Sequence, residues 1–354
     1  MEEHNIISKA IDKLFSKIKV LNLHNLNISE YNRNYLKKYI DNYSFYMSLY
    51  SQLLLKALKK LNKPISESSF IDYGGGCGML SFLAKEIGFK IVVYNDINKN
   101  SINETQIISR HLDIAIDYYI CGDIEEFINE INLYNIRPDL ICSFDVLEHI
   151  YDLEFWIKTI ANIKSEFSLL FMTSANSCNP FITNRLKKLH IKSEYKGVDK
   201  NIRCNDIYLN TSFLEERGRI IRNKFPDLNN NDINLLSLKS RGLRKDDIEK
   251  VVYDYIKTGE IFYNIKHPTN TCDPYTGSWT EKLIDLKKLK ILIKCNNLKV
   301  DISNSFYSYS NNKILNVLKY LLNKLNRVLG PKILLFSPAY TLEIQKPLTQ
   351  DNLS

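Results

Sequence analysis

The run Phe70-Ile71-Asp72-Tyr73-Gly74-Gly75-Gly76-Cys77-Gly78 constrains the fold more than any other part of the 354-residue chain. A short apolar stretch ends in an acid, glycines follow at 74, 76 and 78, and Leu80, Leu83, Ala84 and Ile87 continue at helical spacing. The pattern predicts a strand-to-helix turn. Glycine suits such a turn because a side chain would keep the backbone from approaching a flat, polar ligand. The helix behind it offers free N–H groups at its N-terminus.

Two ligand classes use a turn of this kind, and the glycine register separates them. A dinucleotide fingerprint requires Gly-x-Gly-x-x-Gly to seat a pyrophosphate. The two possible registers place Met79 or Ser81 at the third glycine. Acid-x-Gly-x-Gly-x-Gly is matched in full by Asp72 to Gly78. A carboxylate this close repels a pyrophosphate and suits a ligand with a cationic amino acid end. Further along, Ile91-Val92-Val93-Tyr94-Asn95-Asp96 reads as a second buried strand ending in an acid, twenty residues past Gly76, where such folds place the carboxylate that takes both ribose hydroxyls. Ser101-x-x-Glu104 then reads as a capping box opening the next helix. Asp117-Tyr118-Tyr119-Ile120 is a third strand, and Asp123 after it is placed to cap the helix Ile124–Ile131. The fourth strand leads into Phe144-Asp145-Val146-Leu147-Glu148-His149.

These stations, in this order and spacing, resemble the class I S-adenosylmethionine-dependent methyltransferases. The words Asp-Val-Leu-Glu-His at 145–149 are similar to those of the small-molecule subgroup, including the quinone-biosynthesis type. The resemblance covers residues 68–175 well and resumes more weakly at 281–346. It implies an α/β fold: a Rossmann-like, seven-stranded mixed sheet with helices on both faces. Leu298-x-Val300-x-Ile302 and Tyr340-x-Leu342-x-Ile344 then become strands six and seven, the antiparallel pair that closes the sheet. A helix at Ile314–Leu329 between them is an addition. The implied cofactor is S-adenosyl-L-methionine, bound by Asp72, Tyr73, Gly74, Gly75, Gly76, Cys77 and Gly78, by Asp96 and Ile97, by Asp123 and Ile124, and by Phe144 and Asp145. In the family the acid at Asp123 accepts from the adenine amino group, and the end of strand four packs beside the methionine part.

Four segments follow: an N-terminal helical extension (1–66), a cofactor-binding core (67–172), a helical lid or substrate insertion (173–278) and the C-terminal part of the core (279–354). In the first, Ile7, Ile11, Leu14, Ile18 and Leu21 recur as a core-facing stripe. In related enzymes such an extension lies across the cofactor mouth and contributes a tyrosine; Tyr46 and Tyr50 are the candidates. The insertion carries a capping box, Ser212-x-x-Glu215, and a helix that Gly259 can end. Ligands of open parallel sheets bind outside the carboxyl ends of the strands, so an insertion leaving strand five is expected to shape the substrate pocket. Its return segment, His267 to Glu281, is rich in hydrogen-bonding side chains, and Ser278-x-x-Glu281 can cap a helix.

A net charge of +8 admits an RNA or protein methyltransferase as the alternative. The excess is spread over a Lys-, Asn-, Ile- and Tyr-rich chain, without the basic–aromatic blocks that track a nucleic acid backbone. A nicotinamide-dependent oxidoreductase is disfavoured by the glycine register. Seven cysteines without Cys-x-x-Cys spacing argue against a zinc site and fit a reducing, cytoplasmic setting. No apolar stretch reaches the ~20 residues that cross a bilayer. The expected acceptor is a hydroxyl or amine of a small molecule or glycan, with no nucleic acid partner. A hydroxyl acceptor gains from a general base. His149 leads by position, His267 is second and His190 a distant third.

Overall fold

The computed structural model describes residues 2–197, 211–309 and 313–347; Cys204 and the part of the insertion at 198–210 lie outside the described residues. Residue contacts divide the chain into two units.

The first unit comprises Met1–Leu147, Leu153–Ser174 and Asp285–Ser354. Its centre is one sheet of β1 (Ser69–Tyr73), β2 (Ile91–Asp96), β3 (Tyr118–Cys121), β4 (Leu140–Phe144), β5 (Phe167–Thr173), β6 (Lys299–Asn304) and β7 (Tyr340–Lys346). The strand order is β3-β2-β1-β4-β5-β7-β6. β1 to β5 pair in parallel, and β7 runs antiparallel to both β5 and β6. The central strands β1 and β5 are buried along their whole length, because parallel strands are covered on both faces and therefore read as continuous apolar runs. Strand order reverses between β1 and β4. Chain leaving those two strands toward opposite faces opens a crevice at their carboxyl ends, the ligand position of such sheets.

One face of the sheet receives α1 (Glu2–Ile18), α2 (Glu30–Asp41), α3 (Tyr43–Leu58), α4 (Met79–Ile87) and α5 (Lys99–Leu112). Their apolar residues share a core with Phe70, Val92, Tyr94, Leu140, Leu170 and Met172. The predicted stripe of α1 is buried at Ile7, Leu14 and Ile18, and Lys17 reaches Glu86 of α4 at 3.0 Å. The opposite face carries α6 (Ile124–Leu133) and α7 (Leu153–Ile160), where Tyr73 packs on Phe127 and Trp156.

Two expected capping boxes take other forms. α5 starts at Lys99 with Asn98 as its cap. Glu104 instead accepts from Ser29 N–H and Oγ, both at 3.0 Å, and from the Asn32 amide. It thereby caps α2 from the neighbouring helix α5, satisfying an orphan donor of a helix far away in sequence. Ser278 and Glu281 start no helix, since Glu281 has φ +47°; the next helix, Leu286–Cys295, is capped by Asp285.

The second unit comprises Glu148–Asp152 and Ala175–Ile284. It contains α8 (Pro180–Tyr195), α9 (Phe213–Lys224), α10 (Asn230–Lys239) and α11 (Lys245–Thr258), which precede α12 (Leu286–Cys295) of the first unit. Ser212 and Glu215 form the predicted capping box, and Gly259 ends α11 in the left-handed conformation. α9 to α11 bury Ile221, Leu236, Ile248 and Val252 together. Beside that core Arg217 is fully buried and paired with Glu194, which also accepts from Thr271 Oγ1 at 2.7 Å.

Candidate active site

The glycine turn is held by its own chain. Gly76 and Gly78 have φ of 55° and 78°, which glycine adopts without strain. A Cβ on Gly78 would stand 2.5 Å from Thr105 Cγ2, and one on Gly75 would stand 2.6 Å from the Tyr94 ring and 2.8 Å from Asp72 Oδ2. Close internal packing therefore requires glycine here, in addition to any ligand. The Gly76 peptide is clamped at both ends. Its N–H donates to Asp96 Oδ2 at 2.9 Å, and its carbonyl accepts from Tyr94 OH and from Thr105 Oγ1 at 3.1 Å.

Two carboxylates flank this turn. Asp72 is buried and accepts twice from Ser81, through N–H at 2.9 Å and Oγ at 2.7 Å, both at Oδ2. Burial pushes its carboxyl up to about 7; the Ser81 bonds oppose the shift and the Asp96 charge adds to it. Asp96 lies at the end of β2, next to the Tyr73–Asn95 register pair. Each of its oxygens accepts one backbone N–H, from Gly76 and from Asn98 at 2.8 Å. Burial raises Asp96 as well, against those two bonds.

The other predicted residues fall around this centre in different ways. Asp123 forms a full capping box on α6 and accepts from Ile124 N–H at 2.7 Å. Its Oδ1 also meets Tyr73 OH at 3.4 Å, while that hydroxyl accepts from Trp156 Nε1 at 2.8 Å. Tyr73, Cys77 and Ile124 have buried side chains, and the Cys77 thiol is pushed up to about 12 by burial, which makes it inert. Ile97 is exposed. Phe144 meets the Tyr50 ring edge-on at 5.5 Å. Asp145 adopts φ +53° and accepts from Ser174 N–H at 2.8 Å, while Val146 beside it closes against Gly74.

Tyr50 donates to Tyr39 OH at 2.8 Å and Tyr46 stacks on the Tyr39 ring at 4.1 Å, so these two tyrosines build an aromatic cluster. The tyrosine next to the turn is Tyr35, whose ring carbon stands 3.2 Å from a Cβ built on Gly76. The only hint of it in the sequence is its place one helical turn before Tyr39. Thr105 and Glu104 carry no sequence signal for their roles.

Within the second unit the three histidines differ in the chemistry left to them. His149 Nδ1 lies 2.7 Å from the Trp279 carbonyl. A carbonyl only accepts, so Nδ1 holds the proton and Nε2 is left as the basic nitrogen, 4.0 Å from Glu281 Oε1. His267 is opposite: its Nδ1 accepts from the N–H groups of Thr269 and Asn270 at 3.2 and 3.1 Å. Gaining a proton there would break both bonds, and burial beside His190, Lys187 and Arg241 lowers its pKa. His190 is buried with both ring nitrogens engaged, by Thr269 Oγ1 and the Glu281 carbonyl.

A family profile described as "Methyltransferase domain" matches residues 43–240, more than half of the chain. The chain belongs to this methyltransferase family. Its cofactor is S-adenosylmethionine. The residues present fit that cofactor: each Asp96 oxygen accepts only one backbone N–H and keeps a lone pair for a ribose hydroxyl, while Ser81 engages only Oδ2 of Asp72, beside the same turn. A curated relative, the ubiquinone biosynthesis O-methyltransferase of Pelagibacter ubique (strain HTCC1062), is 23% identical over 119 residues, 34% of this chain. The chain spans about half, 47%, of that relative's length. Among solved structures, a putative S-adenosylmethionine-dependent methyltransferase from Listeria monocytogenes aligns at 12% identity and TM-score 0.39, over 85% of this chain and 99% of its own. The plantazolicin methyltransferase BpumL in complex with SAH aligns at 12% identity and TM-score 0.39, over 96% and 98%. Among the described residues no helix of this methyltransferase-family chain is long and apolar enough to cross a membrane.

Proposed function

We propose that the protein transfers a methyl group from S-adenosylmethionine to a hydroxyl or amine of a small molecule or glycan. Asp72, the turn Gly74–Gly78, Asp96 and Asp123 hold the cofactor in this reading, with Tyr73, Ile97, Ile124, Phe144 and Asp145 lining it. The second unit carries the residues that recognise the acceptor. The cofactor supplies a methyl group on a sulfonium, whose leaving group is a neutral thioether. The chain's own task is then to orient the acceptor, exclude water and receive one proton. Orientation is the larger contribution, on the order of 7–11 kcal/mol at best.

His149 Nε2 is the group that takes the proton. The supporting observation is the bond from its Nδ1–H to the Trp279 carbonyl, which fixes the tautomer with Nε2 basic. Trp279 is itself fixed, since its indole N–H donates to the Tyr151 carbonyl at 3.0 Å. The relative's printed role in ubiquinone biosynthesis agrees with a small-molecule acceptor. Six cysteines, all free among the described residues, agree with a reducing, cytoplasmic setting.

The test is two-stage. Labelled adenosylmethionine and fractionated small-molecule extracts identify the acceptor by mass spectrometry; labelling of RNA or protein fractions alone would replace this reading with the macromolecular one. With the acceptor known, His149→Gln keeps cofactor affinity and loses about 10²-fold or more in turnover. His267→Gln stays within a few-fold. Wild-type turnover in His149→Gln would mean that positioning alone carries catalysis.

A further inference from the structure

The helix α13 (Lys313–Leu329) turns its polar side toward the protein and its apolar side out. Asn323 and Asn326 are its buried residues. Asn323 accepts from Tyr307 N–H at 2.7 Å and donates to the Tyr307 carbonyl at 2.9 Å. Asn326 donates to the Phe336 carbonyl at 3.2 Å. From below, the Asn304 amide donates to the Gly330 carbonyl at 3.1 Å and the Asn326 carbonyl at 3.3 Å. These bonds fix the roll of the helix, because turning it over would bury the asparagines' partners unsatisfied. The outer side presents Ile314, Val317, Leu318, Leu321, Leu325 and Val328, with Ile314 at 86% and Val328 at 76% exposure. A contiguous apolar face of this kind marks an interaction surface.

Width and charge select the occupant. A helical partner, such as a second copy, needs only a narrow seam of alternating three- and four-residue steps, with opposite charges beside it. Here Leu315, Tyr320 and Leu329 are exposed too and widen the face past a seam. Lys313, Lys319, Lys324 and Arg327 are the helix's charged residues, with no acid among its seventeen positions. None of the four is in an ion pair among the described residues. Two such helices would bring like charges together, whereas an anionic lipid surface complements them. A basic helix with a broad apolar face lies in the plane of a bilayer, its apolar side sunk below the headgroups. We propose that α13 docks the protein onto membranes bearing anionic lipids, peripherally and without crossing them.

The proposal does not depend on the acceptor. The full chain is mixed with vesicles of phosphatidylcholine alone or enriched in phosphatidylglycerol, and bound protein is measured by flotation. Binding is expected on the anionic vesicles, at least about tenfold weaker on the neutral ones and weakened by salt. Leu321→Glu with Val328→Glu, both at exposed positions, should lower anionic-vesicle affinity at least about tenfold while adenosylmethionine affinity stays unchanged. Absence of binding to either vesicle overturns the proposal. So does a dimer in sedimentation that the double variant dissociates without any vesicle binding, which would assign the face to a second copy.

Discussion

Asp72→Asn tests the cofactor site because it should move stability and binding in opposite directions. The carboxyl is raised to about 7 in the folded protein, mainly by burial. In the unfolded chain it titrates near the ordinary aspartate value of about 3.9. Below about pH 4 both states hold the proton and the residue costs nothing. As pH rises from about 4 to 7 the unfolded chain ionises first, so the folded state loses stability, on the order of 4 kcal/mol by pH 8. Asparagine keeps an oxygen for Ser81 N–H and Oγ but cannot ionise. The variant should therefore melt higher than wild type at pH 8 and differ little at pH 4. Binding should go the other way. If the ionised carboxylate meets the cationic end of the cofactor, only about a tenth of the free protein is competent at pH 6 and about nine-tenths at pH 8. Wild-type affinity should rise about tenfold over that interval. Asp72→Asn should bind weakly at both pH values, with the slope gone. Calorimetric titration with adenosylmethionine and thermal melts of the ligand-free protein read both quantities. A wild-type affinity that is flat with pH and matched by the variant would refute the assignment of Asp72 to the ligand.

Two further outcomes follow from the same geometry. Gly78→Ala forces a Cβ to 2.5 Å from Thr105 Cγ2 at a φ of 78°, so it should cost roughly 1–3 kcal/mol of stability by thermal melt and weaken cofactor binding through the displaced turn. Glu104→Ala removes the acceptor of Ser29 and Asn32, the outer cap of α2, and should lower the melting temperature by a few degrees for a loss of about 1–2 kcal/mol. Because α2 also carries Tyr35, the same variant should weaken cofactor affinity; unchanged affinity would separate the cap from the site.

What the sequence shows of the fold depends on how local each determinant is. The parallel strands are legible because burial on both faces leaves continuous apolar runs such as Ile91 to Tyr94. The antiparallel closure is legible from alternation at Leu298–Ile302 and Tyr340–Ile344, and β6 pairs with β7 in that register, Val300 opposite Ile344 and Ile302 opposite Leu342. Capping boxes are read correctly when both partners are local, as at Ser212 and Glu215. They fail when the acid has a better partner elsewhere: Glu104 finds the α2 N-terminus, 75 residues away at Ser29. Periodicity likewise outlines the helix at 313–329 but not its roll. The roll is set by asparagine bonds to the backbone of residues 307 and 336, which no local pattern encodes.

The same distinction governs the candidate site. Asp72, the glycines and Asp96 are legible because backbone conformation and spacing fix them within one strand–turn–helix unit and its neighbouring strand. A histidine's suitability as a base is not a property of its spacing. His149 and His267 are equal candidates as residue types, and position alone ranks them. What separates them is which ring nitrogen is already engaged. For His149 the partner is a carbonyl 130 residues away, and it leaves Nε2 basic. For His267 the partners are its own next neighbours, whose N–H groups occupy the one nitrogen that could gain a proton. A loop that folds tightly around its own histidine thereby removes it from acid–base chemistry. A histidine oriented by a distant carbonyl keeps that chemistry, and this is why the turnover of His149→Gln, set against His267→Gln, bears directly on the mechanism.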